Sequence, residues 1–222
     1  MIEVLSVSRL GVSKQARLLD IGCGSGQLLL DLQGLGFSDL TGVDPFIEKD
    51  LLFEDGLRVL KKHLADLTGR YDLIMLHHSF EHMDQPAEVM RTIARLLSPK
   101  GYVILRVPVA GSLAWRRFGV NWFGLDAPRH LFLHTLQSIE ILAKQAGLEV
   151  LDVIHETDER MFAACEAYEN NLAVTDPGFP RLNLLRLTAW RKARTYRSLA
   201  AAANRERMAD ALCINLRHAE RS

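Results

Sequence analysis

Residues 17–26 read "RLLDIGCGSG" and residues 40–45 read "LTGVDP". The first is a short apolar run that breaks into glycine at alternate positions, Gly22, Gly24 and Gly26, and passes into the helical pattern "QLLLDLQGLG". Glycine serves where a backbone must turn with positive φ, or where another molecule comes closer than a Cβ permits. A strand that ends in such a turn and continues as a helix opens a parallel α/β sheet, and in that architecture ligands sit outside the carboxyl ends of the strands. The second run ends on Asp44, whose carboxylate can accept from the two hydroxyls of a ribose. The glycine spacing is GxGxG, not the GxGxxG that faces a pyrophosphate. Asp20 lies just before the turn, where it would repel phosphate and attract an ammonium.

Outward from this stretch, β-branched or Leu-rich runs alternate with segments of helical period, the pattern of a parallel sheet wrapped by helices. Strands are expected at 16–22, 40–44, 57–61, 71–77, 102–108, 148–156 and 211–218, and helices at 26–34, 46–54, 86–97 and 136–146. The helix at 86–97 opens on Pro86 and stops at a Pro-Lys-Gly sequence, and that at 136–146 has a Thr cap and a terminal Gly147. Two regions break the alternation. Residues 109–135 form a long aromatic-rich connection, and 157–209 form a helical insertion with "TDPGFP" as a turn before an Arg-rich helix at 181–208. The expected organisation is one domain over 1–222 that carries this insertion.

Composition narrows the function. The chain has 222 residues, 27 basic and 27 acidic, so net neutrality argues against a nucleic-acid partner. Cys23, Cys165 and Cys213 are far apart and have no His at zinc spacing, so neither a disulfide framework nor a metal site is expected. No apolar run reaches the roughly 20 residues of a membrane span. A soluble, cytoplasmic protein is expected.

The segments "LLDIGCGSG", "GVDP", "YDLIMLHHSFEHMDQP", "LLSPKGYVILRVP" and "LDAPRHLFLHT" together resemble the class I SAM-dependent methyltransferases, in particular their bacterial small-molecule group. The resemblance implies a Rossmann-like, seven-stranded, mostly parallel sheet with helices on both faces, and an antiparallel seventh strand beside the fifth. It implies S-adenosyl-L-methionine as cofactor. By position, Asp20, Gly22, Cys23, Gly24 and Gly26 would line its methionine part, and Asp44, followed by Pro45, would hold the ribose. Asp66 is the acid carried over for the adenine, and His77, His78 and Ser79 would pass beneath the sulfonium.

The implied reaction is in-line methyl transfer to a small-molecule acceptor, with O-methylation favoured. A hydroxyl acceptor calls for a base near neutral pKa. His130 in "APRH" is the first candidate and His78 the second, and Arg129 would orient an anionic acceptor. Glu81 also reads as a helix-start residue, and Cys23 as a small filler rather than a nucleophile. Two alternatives stand beside this reading: an RNA or protein methyltransferase that uses the basic helix 181–208, and a non-catalytic SAM-binding protein.

Overall fold

The computed structural model describes residues 2–53, 56–173 and 187–220. The chain divides into two compact units, Met1–Val107 with Gln137–Val153 and Ile214–Ser222, and Pro108–Leu136 with Ile154–Cys213. The insertion expected at 157–209 falls in the second unit, together with the aromatic connection.

Most of the strand residues lie in the first unit and form a mixed, mostly parallel eight-stranded sheet. Its strands are β1 (Arg17–Ile21), β2 (Asp39–Val43), β3 (Leu51–Leu52), β4 (Arg58–Leu60), β5 (Tyr71–His77), β6 (Leu97–Pro108), β7 (Leu148–Glu156) and β8 (Ala211–His218), in the order β3-β4-β2-β1-β5-β6-β8-β7. β1 pairs in parallel with β2 and β5, β2 with β4, and β5 with β6. Strands covered on both faces must be apolar throughout, and Leu73, Ile74, Met75 and Leu76 of β5 are accordingly all fully buried. β8 occupies the place expected for the last strand. Its end meets the start of β7, where Ala219 N–H donates to Gly147 C=O at 3.0 Å, and the start of β6, where His218 Nε2 lies 3.3 Å from Leu97 O. β8 therefore runs antiparallel to both neighbours.

Four helices accompany the sheet: α1 (Ile2–Arg9), α2 (Gln27–Gly34), α3 (Pro86–Leu96) and α5 (Leu136–Gln145). α3 has Pro at its first turn and buries Met90, Ile93 and Leu96.

Two expectations are corrected here. The helix predicted at 46–54 does not form: the described part holds turns and the short edge strand β3, antiparallel to β4, which makes eight strands instead of seven. Carboxylates around this segment accept from backbone N–H groups instead, Asp44 Oδ1 from Phe46 at 2.8 Å in a turn and Asp50 Oδ1 from Lys61, eleven residues on, at 2.7 Å, which ties the segment to the chain after β4. The strand expected at 102–108 starts earlier, at Leu97, directly after α3, so the Pro-Lys-Gly sequence that follows the helix lies within β6. It forms a bulge inside β6, whose register jumps from Tyr71↔Leu97 to Leu73↔Tyr102.

The second unit contains α4 (Leu113–Phe118), α6 (Glu159–Glu169) and α7 (Leu187–Arg205). Ser112 caps α4 by accepting from Trp115 N–H, and Asp158 caps α6 by accepting from Arg160 and Met161 N–H. Phe118, Trp122, Phe162, Cys165 and Tyr196 form the core of this unit, so the aromatic connection supplies much of that core. Asp210, fully buried, accepts from Ser112 Oγ at 2.6 Å, Trp122 Nε1 at 2.6 Å and Thr157 Oγ1 at 2.5 Å. The predicted turn 175–180 and the first residues of the Arg-rich helix, 181–186, lie outside the described residues. No helix among the described residues is long and apolar enough to cross a membrane.

Candidate active site

The site is built on the carboxyl ends of β1, β2 and β5, which lie side by side because β1 pairs with both of the others. Beyond Ile21 the chain turns through Gly22, Gly24 and Gly26 at φ 74°, 53° and 80°, and Gly26 becomes the cap of α2. The three glycines have different reasons to be there. A Cβ on Gly22 would lie 2.4 Å from Ser79 Cβ, and one on Gly26 would lie 2.6 Å from Val59 Cγ2, so these two answer to packing. A Cβ on Gly24 would meet nothing within 4 Å. Here the bare backbone faces open space that a ligand can fill.

Asp44, just past β2, is tied to that same glycine. Its Oδ2 accepts from Gly24 N–H at 2.9 Å while Oδ1 accepts from Phe46 N–H. Each oxygen has one backbone donor and keeps acceptor capacity, an arrangement suited to two neighbouring hydroxyls. Asp20, on β1, is 4% exposed. Burial, and then the Asp44 charge, push its carboxyl from 3.8 up to about 7. A carboxyl in that condition is stabilised in its charged form by a cation beside it. A bare turn, an oriented carboxylate and a buried acid together fit an ammonium-bearing nucleoside.

Cys23 lies inside the turn but is not a nucleophile. Burial first, then Asp20 and Asp44, push its thiol far above neutral pH, and its sulfur fills the space left by Gly42, where a Cβ would lie 2.5 Å away. Pro45 follows Asp44, and Phe46 beside it is 92% exposed. Phe46 was missed by sequence reasoning, although an aromatic two residues beyond a ribose-type acid is a visible signal. Asp66 sits on an exposed 3-10 turn, Leu64–Asp66, after β4.

At the end of β5, His77 closes the strand and His78 adopts φ 52°, in the left-handed region that few side chains enter. His78 N–H donates to Arg106 C=O at 2.9 Å, and Ser79 Oγ donates to Ile21 C=O at 2.7 Å. Glu81, in the 3-10 turn Phe80–His82, is fully buried, with Oε1 3.6 Å from His78 Nδ1. In the second unit, His130 Nδ1 lies 2.9 Å from Gly124 O, and its Nε2 lies 3.7 Å from Asp126 Oδ2. Arg129 is paired with the same Asp126 carboxylate. The structure therefore groups Asp20, Gly22, Cys23, Gly24, Gly26, Asp44, Pro45, His77 and His78 in the first unit, and groups His130 with Arg129 around Asp126 in the second. Asp126, a residue that sequence reasoning passed over, organises that pair.

Comparison with known proteins bears on family and fold. A family model described as a methyltransferase domain matches residues 6–153. A ubiquinone biosynthesis O-methyltransferase of Bordetella avium is 30% identical, the match covering 60% of this chain and 62% of that protein. One of a Caulobacter species is 37% identical over 40% of this chain and 39% of its own length. The chain thus spans less than two thirds of the length of these relatives. Among solved structures, a SAM-dependent methyltransferase of Archaeoglobus fulgidus superposes with a TM-score of 0.54 at 21% identity, covering 91% of this chain and 86% of that one. The magnesium protoporphyrin IX methyltransferase of Synechocystis, with bound SAH, gives 0.52 at 18% identity over 67% and 70%. At these identities the structures speak for the fold, and the family model, spanning the glycine turn, Asp44 and the end of β5, speaks for the lineage: the chain belongs to the methyltransferase-domain family, on the class I SAM-dependent fold.

Proposed function

We propose that the chain transfers a methyl group from S-adenosyl-L-methionine to a hydroxyl of a small-molecule acceptor. The observation that carries this reading is the Asp44 carboxylate, oriented by Gly24 and Phe46 N–H beside a glycine with open space where a side chain would be. In it, Asp44 holds the ribose hydroxyls and Asp20 the α-ammonium. Gly22, Cys23, Gly24 and Gly26 wall the methionine part, and Pro45 and Asp66 flank the nucleoside. His77 and His78 lie toward the transferred methyl.

S-adenosylmethionine supplies an activated methyl carbon: as a lone pair of the acceptor oxygen forms the new C–O bond, the C–S bond breaks and its electron pair stays on sulfur. The residues of the chain contribute alignment, an effect worth up to roughly 7–11 kcal/mol in well-oriented systems. They also remove the hydroxyl proton, a task for His130 or His78, and Arg129 orients an anionic acceptor. The relatives are ubiquinone biosynthesis O-methyltransferases, which supports a hydroxyl on a small molecule as the acceptor. Within the second unit, Lys192 and Arg197 of α7 are engaged by Glu166 and Glu159 of α6, which lowers the charge this helix offers to a nucleic acid. A cytoplasmic location goes with this reading, in keeping with three cysteines that are all free thiols.

Calorimetry with S-adenosylmethionine, followed by labelled-methyl transfer into catechol and into fractionated cell extract, tests the proposal. Binding with micromolar affinity and label in a small-molecule fraction are expected. Binding without release of S-adenosylhomocysteine would make the chain a pure binder, and no binding at all would end the reading.

A further inference from the structure

The end of β5 holds a pair of side chains whose arrangement is unexplained by cofactor binding alone. His78 is a non-glycine residue at φ 52°, and its side chain is half-exposed, while Glu81, three residues on, is fully buried. Left-handed backbone costs a β-carbon-bearing residue about 1–2 kcal/mol, and such strain persists only where the surroundings hold it. The surroundings here are specific. His78 N–H is fixed by Arg106 C=O, and the next residue, Ser79, is anchored through its hydroxyl to Ile21 C=O at the mouth of the glycine turn. The same kink brings the imidazole round so that Nδ1, not Nε2, faces the Glu81 carboxyl at 3.6 Å.

We propose that Glu81 is a positioning residue that makes His78 the general base for the acceptor hydroxyl. This deepens the methyltransferase reading and rests on it. A buried carboxyl on the Nδ1 side of an imidazole favours the tautomer with the proton on Nδ1, which leaves the Nε2 lone pair available. At 3.6 Å the contact is longer than a hydrogen bond, and contacts of this kind in a ligand-free site commonly tighten when substrate arrives. The His78 side chain is half-exposed, so the ring is open to an incoming acceptor. When the acceptor oxygen takes the methyl carbon, its proton passes to Nε2 of His78, giving an imidazolium that faces the Glu81 carboxyl. That proton then leaves to solvent, and the ring returns to its starting tautomer with no net change in the protein. The partly neutralised imidazolium is the species Glu81 stabilises, which is how a buried carboxyl speeds proton removal through a neighbouring histidine.

The experiment has two independent arms. In the first, side-chain 15N spectra of the ligand-free full chain report the His78 tautomer. The expected result is a protonated Nδ1 in the wild type and a mixture or reversal in Glu81→Gln, with recovery in Glu81→Asp. In the second, S-adenosylmethionine affinity and steady-state turnover with catechol as probe acceptor are measured for the wild type, Glu81→Gln, Glu81→Asp and His78→Asn. Asn is chosen because it tolerates left-handed backbone. The expectation is cofactor affinity within about twofold of wild type for Glu81→Gln and Glu81→Asp, with binding retained in His78→Asn. Turnover should fall on the order of a hundredfold in Glu81→Gln and His78→Asn, with KM little changed and partial rescue in Glu81→Asp. A wild-type tautomer protonated on Nε2 overturns the proposal whether or not Glu81→Gln folds, and so does unchanged turnover in His78→Asn with cofactor still bound. Failure of the wild type to bind S-adenosylmethionine sinks the methyltransferase reading instead, and the tautomer arm still decides the pairing of Glu81 with His78.

Discussion

Ser79 Oγ donates a 2.7 Å hydrogen bond to Ile21 C=O, and the Cβ of the same serine occupies the space a side chain on Gly22 would need. The turn after β1 and the turn after β5 are thereby locked together, so the groups at the two strand ends hold fixed positions relative to each other. The lock also separates two glycines that look equivalent in sequence.

Gly22→Ala should damage the fold, because it combines φ 74° with a 2.4 Å approach to Ser79 Cβ. A loss of roughly 2–4 kcal/mol is expected, read as a lower midpoint in thermal unfolding. Gly24→Ala should fold with a loss of only about 1 kcal/mol, yet weaken S-adenosylmethionine binding at least tenfold by calorimetry. Equal effects of the two substitutions on stability and binding would contradict the roles given to them.

Asp44→Ala removes the acceptor held by Gly24 and Phe46 N–H. Both donors are near the surface and can turn to water, so stability should change by less than about 1 kcal/mol. Cofactor affinity should drop by ten- to a hundredfold. Adenosine would show the same loss as the full cofactor, since the effect is on the ribose.

Asp20 makes both affinity and stability depend on pH. Its carboxyl lies near 7 in the fold and at 3.8 without it, so the folded protein binds more protons between those values. Stability of the ligand-free chain should therefore decline as pH rises from about 4 to about 7 and level off above, a span worth roughly 4 kcal/mol. Asp20→Asn should flatten that decline in urea titrations. With Asp20 as the proposed ammonium partner, S-adenosylmethionine binds the ionised carboxyl, so its affinity should weaken as pH falls below about 7, by up to tenfold per unit, with proton release on binding. A pH-independent affinity in the wild type would remove Asp20 from the ammonium site.

Cys23 should resist iodoacetamide at pH 8, because its thiol is held protonated well above that pH. Cys23→Ala should retain cofactor binding within a few-fold, whereas Cys23→Leu should destabilise the turn through its contact with Gly42.

Asp210→Ala strands three donors, from Ser112, Trp122 and Thr157, inside the second unit. A loss of roughly 3–5 kcal/mol is expected, detectable as early loss of tryptophan near-UV dichroism. Asp210→Asn, which keeps one acceptor oxygen, should lose about half as much.

The sequence by itself determined the sheet and its ligand end. Strand runs, the alternating glycines and Asp44 are local signals: apolar continuity marks a strand buried on both faces, and a residue without Cβ marks a turn with positive φ. The last strand was legible for the same reason, while its place beside β6 came from the family resemblance alone. What lay outside local reading was decided by partners far along the chain. The stretch 46–54 has helical composition, yet Asp44 and Asp50 spend their carboxylates on Phe46 and Lys61 backbone, and β4 recruits Leu51–Leu52 as an edge strand. The separate reasons for Gly22 and Gly24, the raised proton affinity of Asp20, and the approach of Glu81 to His78 all come from burial and from neighbours on other strands or across a kink. Burial and through-space charge are properties of the packed chain, so only the tertiary structure assigns them.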